Sequence, residues 1–382
     1  MKNFEKMPGL EIGDLKVDLP IIQGGMGVGI SLSGLASAVA NQGGVGVIAS
    51  VGISMIRSDG QTSFRKGNIE GLVYEIRRAK SLTDGVIGVN IMVALTDFEN
   101  MLLTSVDEGA DLVLLGAGLP LKVPQLLTPE RMREGKTKTV PIVSSARAAD
   151  LIFKSWAKHN CSPDAIVVEG PMAGGHLGFK KMQIDDPDYK LENLIPDVVR
   201  AVEPWEQRFG KSIPVIAAGG VYSGADILKY LQLGARGVQM ATRFVLTFEC
   251  DADLAFKQAF INAKKQDVTI IQSPVGLPGR AVRNSFLTQV EAGEKKPFKC
   301  PYKCLRTCDY KTAPYCIAQA LAAAQQGRLE DGFVFAGANA WRTTEITSVE
   351  KIFDALAEEY AQAVRLQNKQ KTVSDPQIAA CA

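Results

Sequence analysis

The sequence predicts an α/β protein built as a closed (β/α)8 TIM barrel, with a helical, cysteine-bearing cap near its C-terminal end. Three observations carry that expectation. Eight short apolar runs rich in β-branched residues alternate with longer amphipathic ones through the first two-thirds of the 382 residues. The short runs lack strict apolar–polar alternation, which is the pattern of parallel strands covered on both faces. Glycine-rich segments follow the carboxyl ends of several of them, the face on which barrels build their sites.

In order, the strand-like runs are 19–23, 45–49, 86–90, 111–115, 140–144, 165–169, 213–217 and 236–241. Helical periodicity occupies 33–42, 69–80, 97–108, 146–159, 223–233 and 251–265. Pro120 and Pro124 interrupt the stretch after the fourth strand. Eight units in series favour a closed barrel over an open doubly wound sheet. Segments 50–68 and 171–191 leave the carboxyl ends of the second and sixth strands, and loops of that length there form lids or substrate walls. Residues 1–271 are expected to form the barrel and 272–340 a cysteine-rich cap folded over it. Residues 341–382 would supply a closing helix over 348–366 and a frayed polar tail.

Composition narrows the function classes. The chain carries 43 basic and 41 acidic residues, a formal charge of +2, without the basic excess of a nucleic-acid binder. At 46% hydrophobic and 22% charged it has the mix of an ordinary globular protein. It lacks any run of about 18 apolar residues that would cross a membrane. No apolar core follows a basic head at the amino terminus, so the expected location is cytoplasmic. The expected partner is a small-molecule substrate, and a homodimer is compatible with that reading.

Four places concentrate chemistry. The run QGGMGVG at 23–29 leaves the first strand directly, and its glycines let backbone N–H groups approach a flat ring or an anion. The alternative is a tight strand-to-helix turn. Its spacing is not that of a dinucleotide fingerprint, and no acidic residue ends the second strand. Gly219 and Gly220 after the seventh strand, with Ala241 and Thr242 after the eighth, offer donors where barrels commonly hold phosphate. Ser223 follows as a helix N-cap. The run EGPMAGGHLG at 169–178 holds one of only two histidines. His176 sits among glycines at the barrel mouth, where an imidazole can exchange protons near neutral pH. His159, at a basic helix end, reads as an ordinary polar residue. Glu169 either bonds backbone or orients His176.

These motifs together, with PIIQGGMGVGIS, Gly88-Val89-Asn90, PVIAAGGV and QMATRF, resemble the nitronate monooxygenase family, formerly the 2-nitropropane dioxygenases. That family includes FMN-dependent enoyl-acyl-carrier-protein reductases and NADH:quinone reductases. The resemblance covers about 20–244 and touches 332–337. It implies non-covalent FMN, with Gly24, Gly25 and Met26 against the ring and Asn90 bonded to its pyrimidine edge. Gly219, Gly220, Ala241 and Thr242 would hold the phosphate, with Glu169, Gly174 and Gly175 beside the cofactor. His176 matches the family's active-site histidine, the base in nitronate chemistry, and would orient the nitronate or deprotonate a nitroalkane. The reaction implied is oxidation of alkyl nitronates with dioxygen. The alternative is NAD(P)H-dependent reduction of an enoyl thioester, quinone or other activated alkene. From other classes stand a flavin-free lyase or isomerase of a sugar phosphate, and a regulator that binds flavin without turnover.

The chain departs from that pattern at Cys300, Cys304, Cys308 and Cys316. In a helix, steps of four would put the first three thiols on one face. Four thiolates can hold a 4Fe–4S cluster or a zinc ion, although neither common zinc pairs nor ferredoxin spacing is present. Ordinary buried thiols are the third reading. The neighbours Lys295, Lys296, Lys299, Lys303, Arg306 and Lys311 would stabilise thiolates, or receive an acidic carrier or a pyridine-nucleotide phosphate.

Overall fold

The computed structural model describes residues 7–57, 63–294, 296, 298–300, 302–306 and 308–374. Lys295 and Cys381 lie outside them. Eight parallel strands form the barrel. They are β1 (Ile21–Gln23), β2 (Gly46–Ala49), β3 (Ile87–Met92), β4 (Leu112–Gly116), β5 (Lys138–Val143), β6 (Ile166–Glu169), β7 (Val215–Ala218) and β8 (Gly237–Met240). Around the ring the order is β1-β8-β7-β6-β5-β4-β3-β2. A parallel bridge between Ile22 and Val45 closes it, with Gln23 N–H donating to Val45 and Val45 N–H to Ile21, both at 2.9 Å. Each strand coincides with a run expected from the sequence. Strands dominated by apolar and β-branched residues form because both faces are buried.

Two cores result. Ile22, Val47, Leu112, Leu114, Val140, Val167 and Ile216 fill the barrel with side chains at or near zero exposure. Leu10, Ile12 and Val17 of an N-terminal hairpin join them. That hairpin plugs the amino-terminal end: Leu10 packs on Gly237, and Asp14 pairs with Lys138 at 2.5 Å. Ile21, Ile48, Val113, Ile166 and Val168 belong instead to the outer core against the helices.

The longer helices around the barrel are α1 (Ser33–Asn41), α2 (Phe64–Leu82), α3 (Phe98–Asp107), α4 (Ala146–Ala157), α5 (Leu191–Phe209), α6 (Gly224–Gln232) and α7 (Leu254–Asn262). Ser223 caps α6 as expected, accepting from Asp226 N–H at 3.2 Å. The segment expected as a loop over 50–68 contains a short helix, Ile53–Arg57, and the first turn of α2. The sequence reading also missed α5, whose pattern Pro196 and Pro204 interrupt. Its buried stripe of Leu191, Leu194, Ile195, Val198 and Val202 packs the helix despite the two lost N–H donors.

After α7 the chain builds the cap. The expected helices are there: α8 (Ser285–Glu291) and α9 (Ile317–Gln325). With them comes an antiparallel sheet that periodicity did not reveal, of β9 (Val268–Gln272), β10 (Pro278–Val282) and β11 (Val334–Phe335). The described part of 300–308 is not helical, so the condition under which the first three cysteines would share a helix face is not met. The closing helix, α10 (Val349–Ser374), outruns the expected 348–366 and takes in part of the tail read as frayed. No helix among the described residues is long and apolar enough to cross a membrane.

Candidate active site

The loops leaving β1, β3, β6, β7 and β8 surround two adjoining cavities at the carboxyl ends of the strands. The smaller, of about 200 Å³, is walled by Gly24, Gly25 and Met26 after β1, and by Gly219 and Gly220 after β7. Ala241 and Thr242 after β8, with Glu169, Gly174 and Gly175 from the β6 side, complete its wall. The larger, of about 620 Å³, adds Asn90 and His176, and shares Gly25, Glu169, Gly174 and Gly175 with the first. Every residue singled out in the sequence as catalytic or cofactor-binding therefore faces this mouth.

The glycines are there because backbone and side chains approach too closely for a Cβ. One on Gly25 would lie 2.3 Å from Asn90 Cβ. One on Gly174 would lie 2.6 Å from the backbone N of Gly337 in the cap. Gly219 has φ +84°, a region that costs any other residue, and its Cβ would meet Gly170 O at 2.6 Å. The cap touches the same loop: Asn339 Nδ2 donates to Gly220 O at 2.9 Å.

Glu169 and His176 both face the cavities, and burial pushes each towards its neutral form. Desolvation raises the Glu169 carboxyl to about 7 and lowers the His176 imidazole to about 4. His176 Nε2 lies 2.7 Å from Ser273 Oγ, and its ring meets Phe335 edge-on at 5.1 Å. Gly175 and His176 form a two-residue strand antiparallel to β10, pairing Gly279 with His176 and Arg280 with Gly175. The guanidinium of Arg280, buried beneath, donates to Pro171 O at 2.5 Å and Ala173 O at 2.8 Å. Ser273, Phe335 and Arg280 were not legible from sequence motifs, since each lies about 100 residues or more from His176.

Gln239 was also missed, although it opens the QMATRF run. It lines both cavities, and its buried Oε1 has no hydrogen-bond partner. A buried acceptor left unpaired costs about 1–3 kcal/mol, so it points to a donor supplied by a ligand. The residues fit FMN on that ground and on the glycine floor: a flat ring needs the space that absent Cβ atoms leave, and Gln239 awaits an N–H. The four cap cysteines contribute one wall residue, Cys304. Among the described residues no three His, Cys, Asp or Glu side chains are gathered to hold a single metal ion.

A family model for nitronate monooxygenase matches residues 10–102 and 94–359. The chain belongs to the nitronate monooxygenase family. Its match runs past the motif-bearing barrel into the cap. A probable nitronate monooxygenase of Staphylococcus aureus is 28% identical over 305 residues, covering 73% of this chain and 79% of the relative. A Mycobacterium tuberculosis protein named (3aS,4S,5R,7aS)-5-hydroxy-7a-methyl-1-oxo-octahydro-1H-indene-4-carboxyl-CoA dehydrogenase is 29% identical over 279 residues, 73% of this chain and 67% of that one. The structure of FabK from Thermotoga maritima superposes with a TM-score of 0.71 at 27% identity, over 93% of this chain and 96% of that one. This member of the nitronate monooxygenase family is thus an oxidoreductase on a barrel scaffold shared with FabK.

Proposed function

We propose that this nitronate monooxygenase family member is an FMN-dependent oxidoreductase that oxidises alkyl nitronates with dioxygen. The observation that carries the reading is the convergence of the Gly24–Gly25 floor, Asn90, unpaired Gln239 and His176 on one mouth. Gly24, Gly25 and Met26 would support the ring, and Asn90 and Gln239 would bond its polar edge. Gly219, Gly220, Ala241 and Thr242 would hold the phosphate. When bound, the flavin supplies hydride or single-electron acceptance at N5.

The rest falls to the chain. His176, held near a pKa of about 4, is a neutral imidazole at pH 7. Its part is to donate a hydrogen bond that orients the nitronate anion, with Ser273 and Phe335 fixing the ring plane. Glu169 lines the same cavity, and burial raises its carboxyl to about 7, which favours the protonated form that can donate a proton.

A second reading, NAD(P)H-dependent reduction of an enoyl thioester, quinone or other activated alkene, is supported by one observation. The larger cavity, at about 620 Å³, is roomier than a short nitronate fills. Anaerobic mixing of flavin-loaded protein with NADH, NADPH or propyl nitronate, followed by flavin absorbance, separates the two. Bleaching by the nitronate alone supports the first reading; bleaching by a nicotinamide alone overturns it in favour of the second.

A further inference from the structure

Among the described residues three buried side-chain oxygens lack a hydrogen-bond partner: Gln239 Oε1, Asp97 Oδ2 and Ser54 Oγ. Gln239 and Asp97 line the larger cavity at the mouth. Ser54 lines a separate chamber of about 580 Å³ on the other side of α9. Ile317, Ala318 and Leu321 of that helix face the mouth, whereas Gln319, Ala320 and Ala323 face the chamber. Phe64, at the start of α2, walls both. The chamber falls within the roughly 300–1,000 Å³ of small-molecule sites.

Three kinds of group meet there. Phe64, Phe298 and Tyr302 line the chamber and are only half-buried, which leaves ring surface for a planar ligand to cover. Lys296 and Arg328 bring positive charge against one carboxylate of the lining, Asp331. Their ion pairs are long and their carboxylates exposed, with Lys296 Nζ 3.5 Å from Glu294 and Arg328 Nε 3.7 Å from Asp331. Such pairs hold little, so both cations are available to a phosphate. Lys296 Nζ also stands 5.2 Å from the centre of the Phe286 ring, which sets the charge beside the aromatic wall. Ser54 is 4% exposed, and its N–H is taken up by Asn68 Oδ1 at 3.0 Å, leaving the hydroxyl unpaired. A buried hydroxyl without a partner is costly, and the polar edge of a ligand in this chamber would relieve it.

We propose that the chamber binds a nucleoside phosphate, its base against the aromatic wall, a polar edge on Ser54 Oγ and its phosphate on Lys296 and Arg328. The site is distinct from the flavin's, and the assignment is independent of whether a nitronate or an activated alkene is the substrate. The same chemistry reaches the chamber as a free nucleotide or as the adenylate end of a nicotinamide dinucleotide.

The test is isothermal titration of the full chain in excess FMN, which reads binding without turnover, while flavin absorbance reports separately on the mouth. ADP is expected to bind once per chain with FMN retained. Adenosine or inorganic diphosphate alone should bind at least about tenfold more weakly, each offering only part of the contacts. Ser54→Ala should weaken ADP about fivefold, and Arg328→Glu about tenfold or more, without loss of FMN. Arg328 is exposed, so that variant reports even if Ser54→Ala fails to fold. NADPH that competes with ADP identifies the dinucleotide as the source, and ADP binding indifferent to NADPH identifies the free nucleotide; either supports the site. Absence of ADP binding at millimolar concentration, displacement of FMN by ADP, diphosphate binding as tightly as ADP, or unchanged affinity in Arg328→Glu would each overturn it.

Discussion

The glycine cup after β7 and β8 and the histidine after β6 face one cavity, but they are held in place by different means. Gly219 and Gly220 extend a strand whose ladder continues on both sides, β6 and β8 being its neighbours. His176 lies beyond its strand and is positioned by the cap: paired to Gly279, bonded to Ser273, edge-on to Phe335, over a loop tied by Arg280. The barrel side is thus fixed by local geometry that a few residues encode, and the histidine side by a separately folded layer. Retention of the flavin should follow the first and turnover the second.

The most disruptive change should be Gly219→Ala. A methyl 2.6 Å from Gly170 O at φ +84° is expected to cost about 3 kcal/mol or more and to empty the flavin site. Urea unfolding and flavin content check it, and a variant that keeps both would undo the local-geometry account.

Next comes a pH effect in flavin-free protein. Burial raises Glu169 from its ordinary 4.5 to about 7, so its contribution to stability is whole below pH 4.5 and lost as pH rises through about 7. His176 moves the other way, from 6.5 to about 4, so its contribution is whole above pH 6.5 and lost as pH falls through about 4. The two nearly offset each other between pH 4.5 and 6.5. Glu169→Gln removes one of them, and unfolding should then show a loss of up to about 3 kcal/mol on acidification that the parent protein lacks. Equal pH profiles for variant and parent would refute the opposed pair.

Smaller effects should separate binding from turnover. His176→Asn should retain flavin and slow substrate-dependent bleaching by about 100-fold. Gln239→Leu should instead weaken flavin affinity by about tenfold without lowering apoprotein stability, because its oxygen is already unpaired. Fluorescence titration of flavin reads that one. Smallest, Ser273→Ala should keep flavin and lower turnover a few-fold by freeing the imidazole to rotate.

The same division explains what could be read in advance. All eight barrel strands were legible because a buried parallel strand is written in consecutive apolar residues such as Leu112–Gly116. Gly24, Gly25, Gly219 and Gly220 stood out because they directly follow strand ends, and His176 because it lies in the glycine-rich loop after β6. The N-terminal hairpin escaped because a three-residue strand such as Leu15–Val17 shows no period. The cap sheet escaped for a different reason: β10 pairs with residues 175–176 and 334–335, contacts that no local pattern records. Ser273, Phe335 and Arg280 went unseen with it. Gln239 lacked any signal beyond its place in a motif, since only its burial without a partner distinguishes it.

The long closing helix α10 reaches back to the cup. Glu359 accepts from Gly224 N–H at 2.7 Å and from Arg243 at 3.1 Å, and a Cβ on Gly224 would strike the helix backbone at 2.3 Å. The turn beneath the cup is therefore finished by residues translated after the entire cap. On the ribosome, β7 and β8 emerge long before Glu359 is made, so this turn can gain its brace only after the rest of the barrel and the cap have been synthesised.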